Sequence, residues 1–120
     1  MARILVIEDD TQFRTTVGQI LKAANYEVVL AADGDEGIQK QMAEPADLII
    51  TDLYMPNREG LETIQQLRKD FPAVPIIAIS GGNMSGTMLT IASNVGANKV
   101  LQKPFAAKTL LDAVKEVALK

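Results

Sequence analysis

The sequence predicts a doubly wound α/β fold: a parallel sheet with helices on both faces. Three observations lead there. Short β-branched apolar runs alternate with segments of helical period along all 120 residues. Most of those runs are apolar on both faces, as strands covered by helices on two sides must be. Steady alternation of strand and helix implies parallel strands joined by right-handed crossovers. Hydrophobic residues make up 48% of the chain and charged residues 22%. That balance and this length suit one core, so the expectation is a single domain over 1–120 with no effector domain.

Each element has its own signal. The first strand reads Ile4-Leu5-Val6-Ile7, and Phe13, Val17, Ile20, Leu21 and Ala24 follow at the spacing of one helix face. Asp10 or Thr11 is placed to cap that helix. The second strand spans Tyr26 to Ala31, and a weaker helix runs from Gly34 to Met42, stopping before Pro45. Leu48-Ile49-Ile50 is the third strand; Leu61, Ile64, Leu67 and Phe71 form the apolar face of the helix after it. Val74 to Ile79 is the fourth strand. A helix over about 85–95 turns Met88, Ile91, Ala92 and Val95 inward and ends at Gly96, a residue suited to a C-cap. Lys99-Val100-Leu101 is the last strand. Ala107, Leu110, Leu111, Val114, Val117 and Ala118 then draw the clearest helical stripe.

What is missing excludes whole classes of chemistry. The chain has no His, Cys or Trp. It therefore has no Ser-His-Asp triad, no phosphohistidine of its own, no zinc-thiolate site and no disulfide framework. The N-terminal apolar run is too short for a signal peptide, and Pro, Gly, Asn and Ser interrupt the uncharged stretch from Phe71 to Asn98. A cytoplasmic protein without a membrane span is expected. The net charge is −3 with no basic cluster, which argues against direct nucleic-acid binding.

In open α/β sheets, functional residues gather beyond the C-terminal ends of the strands. Here Glu8-Asp9-Asp10 follows strand one, Thr51-Asp52 strand three, Ser80-Gly81-Gly82 strand four and Gln102-Lys103-Pro104-Phe105 strand five. Taken singly, each has a plain structural use. Asp10 can cap a helix, Ser80 and the glycines can shape a turn, and Lys103 can snorkel to the surface. Their arrival at matching strand ends changes the reading. Strands one and three lie side by side in the flavodoxin-like order 2-1-3-4-5, which brings Asp9 and Asp52 together. Adjacent carboxylates repel unless a cation joins them, and hard oxygen ligands suit Mg²⁺. An ionised Asp can attack phosphorus without a general base, while Lys and a hydroxyl hold the other phosphoryl oxygens.

With those residues placed, the whole chain resembles the receiver domain of bacterial two-component response regulators, of the chemotaxis-regulator type. The carrying segments are ILVIEDD at 4–10, TDLYMPNREG at 51–60, IAISGG at 77–82 and LQKPF at 101–105. The resemblance implies a (βα)5 three-layer sandwich and a switch rather than an enzyme of ordinary turnover. Asp52 would be the phospho-acceptor. Asp9 would ligate Mg²⁺ directly, Glu8 through water, with Asp52 and the backbone carbonyl of Tyr54 completing the protein's ligands. Ser80 and Lys103 would contact the phosphoryl group, and Lys103–Pro104 would be a cis peptide. Met55-Pro56 and Gly60 match the loop after the acceptor. Tyr54 and Gly82, each two residues past a site residue, occupy positions that influence hydrolysis. The implied donor is a sensor histidine kinase or a histidine phosphotransfer protein. The implied output is control of a downstream protein, by a monomer or a phosphorylation-dependent dimer.

One departure stands out. Val100 lies where receivers commonly carry Tyr or Phe, so the aromatic half of the usual switch is missing and the Ser80 half remains. The uncharged helix over 85–95 has two readings, a weakly specified helix or a docking face around Thr87, Leu89, Thr90 and Val100. Receivers commonly use the face made by this helix, the last strand and the last helix for output. Other functions compete with this one, the weakest being a dedicated phosphatase, for which no general acid or base beyond Glu8 is evident. A degenerate receiver could act as a phosphorylation-independent interaction module, which the complete Asp9, Asp52, Ser80 and Lys103 set opposes. A flavin or nucleotide site would need an anion loop after strand one, where Glu8-Asp9-Asp10 would repel phosphate instead.

Overall fold

The computed structural model describes residues 2–53, 60–81, 94 and 96–118. Tyr54, Thr87, Leu89 and Thr90 fall outside the described residues, as does the predicted helix over 85–95 apart from Asn94. The described elements run β1 (Arg3–Ile7), α1 (Thr11–Ala23), β2 (Glu27–Ala31), α2 (Gly34–Ala43), β3 (Leu48–Asp52), α3 (Gly60–Asp70), β4 (Ile76–Ser80), β5 (Lys99–Gln102) and α4 (Ala107–Ala118). The strands form one parallel sheet in the order β2-β1-β3-β4-β5, as expected.

The two-residue period of each strand sorts its side chains between two cores. Leu5, Ile7, Ile49, Leu53, Ile76 and Ala78 pack on one face with Ile64 and Leu67 of α3. Ile4, Val6, Leu48, Ile50, Ile77 and Ile79 pack on the other with Val17 and Leu21 of α1 and Leu110 and Val114 of α4. β3 and β4 lie at the centre and are buried throughout. β2 is an edge strand and only its last residue, Ala31, is fully buried. Its composition resembles that of the others, so apolar content alone did not mark it as the edge.

Helix ends follow their local chemistry. Asp10 caps α1, its Oδ1 accepting from the Phe13 N–H at 3.1 Å. Asn25 closes that helix at φ 72°, with its N–H on the Lys22 carbonyl and that of Tyr26 on the Leu21 carbonyl. This is the paired-bond ending that a left-handed residue permits. It also explains why β2 starts at Glu27 and not Tyr26. Asp33 caps α2 through the Glu36 N–H at 2.8 Å.

Gly37 lets α2 close down on β1. A Cβ there would lie 2.6 Å from Cγ1 of Ile7, which is fully buried. Gly37→Ala should therefore cost about 1–3 kcal/mol through overpacking, despite the better helix propensity of Ala. Urea denaturation checks this, and a stabilised variant would contradict it.

Candidate functional site

Backbone register brings the strand-end residues to one edge. β1 and β3 pair through Ile7 and Thr51, so Glu8-Asp9 and Asp52 emerge side by side. Glu8 continues the alternation of Ile4 and Val6, and Asp52 that of Leu48 and Ile50. Both carboxylates thus belong to the α1–α4 face of the sheet. Lys103 follows Leu101 with the same parity and reaches the same face. Ser80 has the opposite parity, that of Ile76 and Ala78. β4 and β5 pair through Ser80 and Gln102, and the Lys103 N–H donates to the Ser80 carbonyl at 2.8 Å.

The centre of the site is an ammonium between two carboxylates. Lys103 Nζ lies 3.0 Å from Asp52 Oδ2 and 3.3 Å from Glu8 Oε2. Glu8 and Asp52 are buried, and Asp9 is exposed. One carboxylate oxygen from each of the three lies within 4.8 Å of the others. Together with Asp10, Gly81 and Lys103 they line an open cleft of about 270 Å³. The Lys103–Pro104 peptide bond is cis. Ser80 is fully buried, and its Oγ has no hydrogen-bond partner among the described residues.

Burial and charge tune these groups. Glu8 is pushed up to about 8, first by burial, then by its hydrogen bond with Asp52 and by that carboxylate's charge. The Asp10 N–H and Lys103 oppose the shift without cancelling it. Burial draws the Lys103 ammonium toward neutrality, but bonding and charge from Asp52 and Glu8 outweigh it and raise its pKa.

The arrangement fits a hard divalent cation. All the side-chain donors are carboxylate oxygens, and the buried Glu8 Oε2 faces the Lys103 ammonium at 3.3 Å. Asp10 is occupied in capping α1. Val100 is half-buried and packs against the core on the Ser80 side of the sheet.

Two neighbours of the site were not singled out from the sequence. Arg14 donates to the Glu8 carbonyl at 2.6 Å and so braces the turn after β1. Phe13 places its ring 4.2 Å from Lys103 Nζ. Phe13 was legible only as part of the α1 apolar stripe, since its approach to Lys103 depends on tertiary structure.

Among the described residues, no helix is long and apolar enough to cross a membrane. Residues 4–115 match the profile of the response regulator receiver domain. The chemotaxis protein CheY of Listeria monocytogenes is 31% identical over 119 residues, covering 98% of this chain and 99% of that protein. The CAI-1 autoinducer sensor kinase/phosphatase CqsS of Vibrio cholerae is 34% identical over 115 residues, covering 93% of this chain and 17% of that protein. The chain spans less than half the length of several curated relatives that it matches. Among solved structures, a CheY-like receiver domain protein from Methanospirillum hungatei JF-1 superimposes with a TM-score of 0.93 at 32% identity. That match covers 98% of this chain and 94% of the other. The chain belongs to the response regulator receiver domain family of two-component signalling.

Proposed function

We propose that the chain is a phospho-acceptor switch. Asp52 takes a phosphoryl group from a phosphohistidine on a sensor kinase or phosphotransfer protein. The observation that carries this is the contact of a buried carboxylate with Lys103 Nζ at 3.0 Å, beside a cluster of acidic oxygens.

The chemistry follows from those groups. An Asp52 oxygen attacks phosphorus. The P–N bond to the donor imidazole breaks as the P–O bond forms, and the departing imidazole nitrogen takes a proton from solvent. Lys103, already on the acceptor carboxylate, pairs with the incoming phosphoryl oxygens. The unpartnered Ser80 hydroxyl donates to another of them. Glu8, Asp9 and Asp52, with the Tyr54 carbonyl, would hold Mg²⁺. When bound, the ion offsets the repulsion between the acidic cluster and the phosphoryl oxygens.

The output would be a population shift. Pulling Ser80 and Lys103 toward one ligand favours one arrangement of the loops after β4 and β5. The responding face would comprise the segment 85–95, β5 and α4, including Thr87, Leu89, Thr90 and Val100. Histidine phosphodonors place such a domain in the cytoplasm.

The test is intact mass after incubation with Mg²⁺ and acetyl phosphate. A single phosphoryl adduct is expected, lost with Asp52→Asn or excess EDTA. Val100, with no aromatic ring to move, favours the second reading, an interaction module indifferent to phosphorylation. That reading is supported if neither acetyl phosphate nor a phosphorylated histidine donor yields an adduct.

A further inference from the structure

The ammonium at the centre of the site has a third neighbour besides its two carboxylates. Lys103 Nζ stands over the Phe13 ring, 4.2 Å from its centroid, well inside the roughly 6 Å reach of a cation–π contact. Asp52 Oδ2 at 3.0 Å and Glu8 Oε2 at 3.3 Å are its other neighbours. The ring is held from two directions. The Asp10 cap binds the Phe13 N–H at 3.1 Å, which fixes where the first turn of α1 carries this side chain. Phe105, two residues beyond Lys103, meets the Phe13 ring edge to face, with centroids 5.7 Å apart and planes at 82°. Both rings are half-buried and pack against the α1–α4 core.

A ring face supports the cation differently from a charged or an aliphatic neighbour. A carboxylate in place of the ring would attract the ammonium but compete for its N–H groups. An aliphatic side chain would exclude water but attract nothing. A π-face attracts the charge and is a poor hydrogen-bond acceptor, so all three N–H groups stay free for carboxylate and phosphoryl oxygens.

We propose that Phe13 is a positioning residue for Lys103, its ring face holding the ammonium against Asp52 so that it meets the phosphoryl group in place. This inference rests on the phospho-acceptor reading. The ring meets the core, Phe105 and the Lys103 ammonium, so its effect on the acceptor should pass through Lys103.

The experiment compares wild type, Phe13→Leu and Phe13→Tyr, after circular dichroism has shown each to be folded. In protein with lysine labelled at the ε carbon and no metal, the Lys103 ε-methylene protons should show an upfield ring-current shift. Phe13→Tyr should keep that shift and Phe13→Leu should lose it. With saturating Mg²⁺ and acetyl phosphate, Phe13→Leu should form the Asp52 adduct roughly three- to thirtyfold more slowly, as the strength of a cation–π contact implies. Phe13→Tyr should stay within about twofold of wild type, because its ring keeps the π-face. Mg²⁺ affinity measured by calorimetry should be the same in all three. An unshifted Lys103 in wild type, equal rates in all three proteins, or a parallel fall in Mg²⁺ affinity would each overturn the role of Phe13. A wild-type protein that forms no adduct with acetyl phosphate or with a phosphorylated histidine donor, with the ring-current shift present, would overturn the phospho-acceptor reading and the role built on it.

Discussion

Lys103→Met should lower the stability of the metal-free protein by about 2–4 kcal/mol at pH 8, and by more as the pH rises above 8. Lys103 is the cation that Glu8 and Asp52 share, at 3.3 and 3.0 Å. Both side chains are buried, so removing it takes away the cation they share in a poorly solvated site. Breaking a fully buried pair costs more, but the Lys103 side chain is 25% exposed, which lowers the expected figure. The pH dependence follows from Glu8. Its folded pKa is already raised above the ordinary value, and loss of Lys103 raises it further. A carboxyl raised in the folded state binds its proton more tightly there, so stability falls as pH rises through that range. Below about pH 8 Glu8 holds its proton in both proteins; above it wild type ionises Glu8 beside Lys103 and the variant does not, so the loss grows. Urea denaturation at pH 8 and at a higher pH gives the comparison, and equal losses at both would contradict the shared-cation account.

Glu8→Gln should do the opposite. Glu8 moves from 4.5 to about 8 on folding, so its ionisation opposes folding between those values. Gln keeps the shape and cannot ionise. The variant should gain about 1–3 kcal/mol at pH 8 without metal, and its stability should vary less between pH 5 and pH 8 than that of wild type. The same change removes a carboxylate from the acidic cluster, so Mg²⁺ affinity should fall roughly 10–100-fold. A site residue that destabilises the empty fold and strengthens binding is held for function and not for packing. Calorimetric titration beside the denaturation series tests both halves. A variant that is less stable and binds Mg²⁺ as tightly as wild type would refute the assignment.

Much of this was legible in the residues. The alternation of β-branched runs with the stripes on α1, α3 and α4 gave the layers, and the strand-end rule pointed to Asp52, Ser80 and Lys103 before any geometry was known. Strand parity goes further in retrospect. The period through Ile4 and Val6 turns Glu8 inward, which is why Glu8 is buried while Asp9 is exposed. Other features depend on distances that no pattern encodes. Gly37 looks like a weak point in a helix until Ile7 is found against it. Arg68 looks like a surface cation after the α3 stripe. In the fold its guanidinium donates to the Phe71, Pro72, Val74 and Gly96 carbonyls and to Asn98 Oδ1, fastening the turn before β5. Phe13 likewise carries one signal in the sequence and two partners in the structure, the core and the Lys103 ammonium.

Asp52, and no other carboxylate of the cluster, is expected to become phosphorylated. Borohydride reduction of the phosphorylated protein converts an acyl phosphate to an alcohol and marks its position permanently. Peptide mass mapping of the reduced protein is the most direct measurement. Homoserine is expected at position 52 alone, only in samples that received both phosphodonor and Mg²⁺. Reduction at Glu8, Asp9 or Asp10, or at no position in a sample whose intact mass shows the adduct, would contradict it.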